Sequence, residues 1–190
     1  MSLQSVLLVI LSKEPNTGYG VGRLLRCQLS HLWDARLQQI YGELAKLEAR
    51  GLVQCESIAL HNRPAKKVYS LTSAGEAALE DWLLVPPPSI SYKDELLVRL
   101  YCLERVSKDA MVRRLEERLD DERKEAQRVN QELAAVRRTD PEQLGLLLTL
   151  EAALARAEAQ ATWCTRTIAL LAERPESRKR QASAAPHAAA

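Results

Sequence analysis

Leu3, Val6, Leu7, Ile10 and Leu11 recur at helical spacing near the start of the chain, and "SKEPNTG" stops that first helix with Pro15 and Gly18. A second helix runs from Gly18 to about Leu29, with Thr17 as its N-cap. Gly18, Gly20 and Gly22 each weaken it by roughly 1 kcal/mol relative to Ala, so a neighbouring element is expected to come very close there. In the third helix Asp34 suits the cap, and Leu37, Ile40, Leu44 and Leu47 form an apolar stripe. Gly51 is placed to stop it as the residue after the helix end. "LVQCESIAL" and "KKVYSLT" read as two strands joined by "HNRPA" as a hairpin tip. Thr72 then caps a fourth helix that leads to Trp82.

"VPPPSIS" breaks this pattern, because consecutive prolines cannot continue a helix and form a stiff, extended connection. Beyond it, Ser91 and Asp94 have capping-box spacing and open a helix to about Glu104. A long helix from about Ser107 places Val112, Leu115, Leu119, Glu122, Ala126, Val129, Leu133 and Val136 at alternating steps of three and four. "RTDPEQ" is a turn, with Asp140 as N-cap, Pro141 at the first helical position and Gln143 closing the box. The return helix repeats the rhythm through Leu147, Leu150, Leu154, Ala157, Ala161, Cys164, Ile168 and Leu171. The pair reads as a coiled-coil-like antiparallel hairpin. "LGLLLTLEAAL" is apolar on more than one side, which points to a partner chain.

The expected fold class is mostly α with a small β-hairpin. Residues 1–85 form a winged helix-turn-helix domain, 86–90 a Pro-rich linker, 91–172 a helical dimerisation domain, and 173–190 a disordered tail. In that tail "RKR" is either a weak nucleic-acid contact or an ordinary solvated segment. Mechanically, a polar third helix can enter a major groove about 12 Å wide, with the two-stranded wing lying along the neighbouring backbone.

Composition changes the picture in three ways. Aromatics make up only 4% of the 190 residues and Phe is absent, so leucine and alanine must fill the interior. The formal net charge is +2, and residues 1–85 carry nine Lys and Arg against eight Asp and Glu. Any grip on a polyanion must therefore come from where the charges sit. The four cysteines are scattered with no CxxC pair, and three histidines without a P-loop, G-x-S-x-G or H-E-x-x-H give no catalytic or metal-binding pattern. No cofactor and no enzyme activity are expected. The apolar start is too short to span a bilayer and lacks a basic flank and a cleavage site, so the expected compartment is the cytoplasm, with no membrane partner.

Gln38 and Gln39 suit bidentate contact to adenine, and Arg36 suits guanine; all three also fit a plain solvated helix face. Lys46 lies a turn further on. Tyr41 either offers its hydroxyl to a phosphate or packs as a half-buried ring under the second helix. Arg63, Lys66 and Lys67 form the basic wing, and strand alternation sends only one of the two lysines towards DNA. Trp82, Tyr92, Tyr101 and Trp163 either stack around an aromatic effector or seal the interfaces of the domains. Trp163, beside seam position 164, is expected to face away from the main seam.

The chain resembles the PadR family of bacterial transcriptional regulators from Leu3 to about Leu171. The resemblance is carried by "GYGV", by "IYGELAKLEARGLV" and, most specifically, by "NRPAKKVYSLTSAGEAALEDWL". It implies a homodimer held by the C-terminal helices and the first helix, and repression of a nearby promoter relieved by a small, often aromatic molecule. It also implies that Tyr41 faces double-stranded DNA and that Arg63, Lys66 and Lys67 are the basic wing. His61 and Asn62, and "DARLQQ" at the third helix, depart from the family pattern, so no operator sequence carries over. Two such helices in one dimer are expected to read a near-palindrome. The rival expectation is a winged-helix interaction adaptor that does not bind DNA, which the near-neutral first half favours.

Overall fold

Local sequence sets the element boundaries through side-chain caps. The computed structural model describes residues 2–60, 63–89, 93–136 and 140–173; the side chains of 59, 60, 63–65 and 141 lie outside that description. The elements are α1 (Leu3–Leu11), α2 (Gly18–Cys27), α3 (Leu37–Ala49), β1 (Val53–Leu60), β2 (Arg63–Leu71), α4 (Ser73–Leu84), α5 (Glu95–Tyr101), α6 (Lys108–Ala135) and α7 (Leu144–Glu173), with short 3-10 turns at Leu103–Arg105 and Pro141–Gln143. Thr17 accepts from the Gly20 N–H at 2.9 Å and Thr72 from the Gly75 N–H at 3.1 Å, so α2 and α4 begin where their hydroxyls satisfy a free backbone donor.

Three capping expectations change. The cap of α3 is Arg36, not Asp34: the Gln39 side-chain carbonyl accepts from the Arg36 N–H at 2.9 Å. The preceding Ala35 is buried, so the chain runs extended into the core before the helix starts. Ser91 lies outside the described residues, and Asp94 itself caps α5 by accepting from the Leu96 N–H at 2.9 Å. That helix stops at Tyr101 and gives way to the 3-10 turn, because Cys102 leaves the helical region at ψ 36°. Asp140 accepts from the Glu142 N–H at 3.0 Å and from Gln143 Nε2 at 2.8 Å, but the first turn there is 3-10 and α7 proper begins at Leu144.

Contacts divide the chain into two units, Met1–Ile90 and Ser91–Ala190. The first has one core in which Leu7, Leu8, Ile10 and Leu11 of α1 meet Val21, Leu25, Ile40, Leu44 and Leu47, with Val53, Tyr69 and Leu79 closing it. Ile40, Leu44 and Leu47 are fully buried, as the stripe predicts, and Leu37 is half-buried. The expected close approach at α2 is present: a Cβ on Gly18 would stand 2.4 Å from the Tyr41 ring, and one on Gly22 2.9 Å from Cδ1 of Leu37. A side chain at either place would displace the Tyr41 ring or the Leu37 side chain.

β1 and β2 pair antiparallel from Val53↔Leu71 to Ile58↔Lys66, then shift by one residue to Leu60↔Arg63. The second strand therefore starts earlier than the sequence suggests, and Arg63, Pro64 and Ala65 belong to β2 rather than to a five-residue tip. The shift falls beside Pro64, which has no N–H to give a ladder, the usual setting for a bulge. The wing is also tied to the loop before α2: the Asn16 N–H donates to the Tyr69 carbonyl at 2.9 Å, and the Tyr69 N–H to the Asn16 carbonyl at 2.8 Å.

In the second unit α6 and α7 pack antiparallel. Met111 and Leu115 share a buried cluster with Cys164 and Leu171, while Val129 packs with Leu150 and Ala153 at the other end. Leu115, Val129, Leu150, Ala157 and Cys164 are fully buried along this seam. Arg118 joins α6 to α5, pairing with Asp94 at 3.1 Å and with Glu122 at 3.0 Å. The residues after 173 lie outside the described residues, and so does the expectation of a disordered tail.

Candidate nucleic-acid interface

With a residue about every 100° around the axis, the sides of α3 have different neighbours. Ile40, Leu44 and Leu47 face the core. Gln38, Gly42, Ala45 and Ala49 lie opposite, with Lys46 beside them, and all five are exposed. Three of these are Gly or Ala, so the outward surface has few side chains to hold a groove wall away. On the α2 flank the Tyr41 ring lies over Gly18 yet stays 44% exposed. It packs on α2, as one of the two sequence readings expects, and keeps part of its surface in solvent.

The remaining flank turns towards α1. Ser2, Leu3 and Gln4 of that helix start form one wall of an open groove of about 720 Å³. Arg36, Gln38, Gln39, Gly42, Glu43 and Lys46 form the other wall. Lys46 Nζ donates to Glu43 Oε1 at 2.7 Å, Gln4 Nε2 to Glu43 Oε2 at 2.7 Å, and Arg50 Nη1 to Gln4 Oε1 at 2.9 Å. The hydrogen bond from Lys46, then that from Gln4, holds the Glu43 carboxyl below its ordinary value. Sequence reading missed Glu43, Gln4 and Arg50, since bonds spanning 39 and 46 residues leave no local pattern.

Gln38 and Gln39 also separate. The Gln39 carbonyl is occupied by the start of its own helix, so only its amide N–H groups are free, whereas adenine needs both halves of the amide. Gln38 stands on the outward side.

On the wing, cross-strand partners share a face. Val53, Leu71, Cys55, Tyr69, Ser57 and Lys67 line one side, and Gln54, Ser70, Glu56, Val68, Ile58 and Lys66 the other. Tyr69 is buried in the core, and that burial, then Cys55, Glu48 and Tyr41 nearby, pushes its phenol above the ordinary value, so it is neutral. Lys67 is two residues from Tyr69 on the same face and thus on the side of α3, while Lys66 points the other way; both are exposed. The backbone of Arg63 pairs with Leu60, and its side chain lies outside the described residues.

Trp82 packs against the core of the first unit, and Trp163 is half-buried against the Met111–Leu115–Cys164–Leu171 cluster rather than turned from it. Tyr101 is 90% exposed, and Tyr92 lies outside the described residues. Among the described residues no group of His, Cys, Asp and Glu could hold a metal, and no helix is long and apolar enough to cross a membrane.

Residues 7–81 match the Transcriptional regulator PadR-like family, and residues 92–172 match the Virulence activator alpha C-term family. The chain is thus similar to the PadR-like regulators. Among curated relatives of this chain is the negative transcriptional regulator PadR of Bacillus subtilis, 33% identical over 107 residues, or 54% of this chain and 59% of the relative. The chain spans about half the length of the curated relatives it matches.

Solved structures align more fully. Bacillus subtilis PadR in complex with operator DNA is 25% identical with a TM-score of 0.80, over 89% of this chain and 98% of that one. The same protein with p-coumaric acid aligns at 0.75 and 25% identity, over 90% and 99%. The Vibrio cholerae virulence activator AphA is 28% identical at 0.76, over 90% and 98%. The mostly helical fold with a two-stranded hairpin is thus similar to that of the PadR-like regulators.

Proposed function

We propose that this chain is a homodimeric, sequence-specific DNA-binding repressor of transcription, acting in the cytoplasm and released by a small aromatic effector. The reading rests on one observation above all: α3 carries a small-residue outward face with Gln38 at its N-terminal end, flanked by Tyr41 and Lys46, on a fold that aligns with a regulator bound to its operator. Gln38 reads a base edge, with Arg36 and Gln39 beside it. Tyr41 and Lys46 meet phosphate. Lys67 and Arg63 lie along the flanking backbone, and Lys66 contributes only at longer range.

Residues 91–172 serve as the dimerisation domain, supported by exposed Leu144, Leu148 and Leu170 on α7, which no neighbour in their own unit covers. Two copies then read a near-palindrome with half-sites about one helical turn apart, ~34 Å, or a multiple. The effector is a phenolic acid or similar aromatic carboxylate, the class suggested by the p-coumaric acid bound to Bacillus subtilis PadR. Trp82, Tyr92, Tyr101 and Trp163 are the rings available to it. It relieves repression only to the extent that it prefers the non-binding arrangement.

Footprinting and gel shift on DNA upstream of the gene, at stated salt and with and without p-coumaric acid, test this reading. A protected near-palindrome that the acid releases is expected. An interaction adaptor would give no protected site and no salt-sensitive retention on DNA. A second reading, activation, is favoured by the match of residues 92–172 to a virulence-activator family and by the likeness to AphA. Transcription in vitro from the footprinted promoter separates the two by the sign of the effect.

A further inference from the structure

The hydrogen bond from α1 to α3 ends on Glu43, the carboxylate that also pairs with Lys46, the side chain expected to meet phosphate. Glu43 has both oxygens engaged, one by Lys46 at 2.7 Å and the other by Gln4 at 2.7 Å. The Lys46 side chain is 65% exposed and that of Glu43 22%, so the ammonium faces water while the carboxylate is drawn back towards α1. The pair is close to neutral. Lys46 held in this way offers a nearby phosphate little net attraction, because an anion travels with it.

Gln4 changes that balance. Its own carbonyl is anchored by Arg50 at 2.9 Å, so its amide holds the carboxylate on the α1 flank. A phosphate pressed close to α3 can take the ammonium and leave Glu43 behind, still hydrogen-bonded to Gln4 and partly hydrated. DNA that docks loosely does not reach that point, and the pair stays closed.

We propose that Glu43, clamped from the first helix by Gln4, is a specificity-determining residue: it withholds Lys46 from unmatched DNA and surrenders it in the matched complex. Gln4 is a positioning residue for Glu43. The inference rests on the DNA-binding reading and deepens it.

The test uses the full chain, with binding measured across a salt series on the footprinted operator and on a random duplex of equal length. Glu43→Gln should tighten binding to the random duplex several-fold and steepen its log–log salt slope by about 0.9, the signature of one more phosphate neutralised. Operator binding should change less, so the ratio of the two affinities falls. In a Lys46→Ala background the same substitution should leave the slope unmoved. Gln4→Leu should weaken operator binding, because the freed carboxylate follows the ammonium outward, and adding Glu43→Gln should restore it. An unchanged slope and ratio in Glu43→Gln, or an equal shift with and without Lys46, would overturn the proposal as inert or as a general charge effect. If the unaltered protein retained no duplex at all, the DNA-binding reading would fall first and this inference with it.

Discussion

α3 and the α6–α7 hairpin each bury an apolar stripe, and they differ in what the other sides do. Around the 13 residues of α3, the core, α1, α2 and solvent each claim a separate side, and each polar residue has a different neighbour. The 28 and 30 residues of α6 and α7 share one long seam, and outside it α6 carries charged pairs three or four residues apart, such as Arg128 with Glu125 and Glu132. Exposed pairs of that kind contribute about 0–1 kcal/mol each. A short helix with a distinct job on every side is sensitive to which side is altered. A long repeated seam is sensitive to depth.

The largest expected effect tests that contrast at the two cores. Leu44→Ala and Leu150→Ala both remove fully buried leucines, and each should cost about 2–5 kcal/mol in urea unfolding. Only Leu44→Ala should also degrade the pattern of preferred bases, since it lies directly beneath the outward face of α3. A shifted base preference in Leu150→Ala would remove the distinction between the two regions.

Next in size is the separation of the two glutamines. Gln38→Ala should lose about 1–3 kcal/mol of discrimination at one base pair, read from a binding profile over randomised sites. Gln39→Ala should instead loosen the start of α3, costing about 0.5–1.5 kcal/mol of stability for the lost hydrogen bond to Arg36, with little change in the profile. The reverse pattern would assign base reading to Gln39.

Legibility divided along the same line. The hairpin's long periodicity made the seam readable well beyond a single turn, and the apolar stripe of α3 was readable from four residues. Thr17 and Thr72 were readable because a cap is a local bond. The start of α3 was not, because Gln39 replaced Asp34 by reaching back along its own helix, an option open to many polar side chains. The wing's extra length followed from pairing between strands, which no single strand reveals. The Gln4–Glu43 contact joins residues far apart in sequence and was invisible for that reason. The general polar face of α3 was legible from type and spacing, but the division of labour within it needed α1 and α2 in place.

A smaller effect concerns the wing. Lys67→Ala should weaken binding to every duplex alike and reduce the salt slope by about 0.9, while Lys66→Ala should do distinctly less, because the two side chains stand on opposite faces of the ribbon. Equal losses would mean that the ribbon meets DNA edge-on.

The smallest effect leaves affinity and stability untouched and appears only in thiol chemistry. Cys27 at the end of α2 and Cys102 after α5 are exposed, Cys55 on the wing is half-buried, and Cys164 is fully buried in the hairpin seam. Burial, the leading influence, pushes the Cys164 thiol above its ordinary value, against a weaker pull downwards from Arg118. The attacking species is the thiolate. At mildly alkaline pH, Cys164 is therefore less ionised than an ordinary thiol, and it is less reachable than Cys102. A thiol-specific reagent should modify Cys27 and Cys102 first, Cys55 more slowly, and Cys164 only as the seam opens. Leu150→Ala, which loosens that seam, should accelerate Cys164 and leave Cys27 unchanged. Leu44→Ala should do the opposite, exposing Cys55 on the wing without touching the hairpin. If Cys164 reacted as fast as Cys102 in the unaltered protein, α6 and α7 would not be holding the seam closed, and the contrast between a many-sided helix and a long repeated seam would fail at the seam.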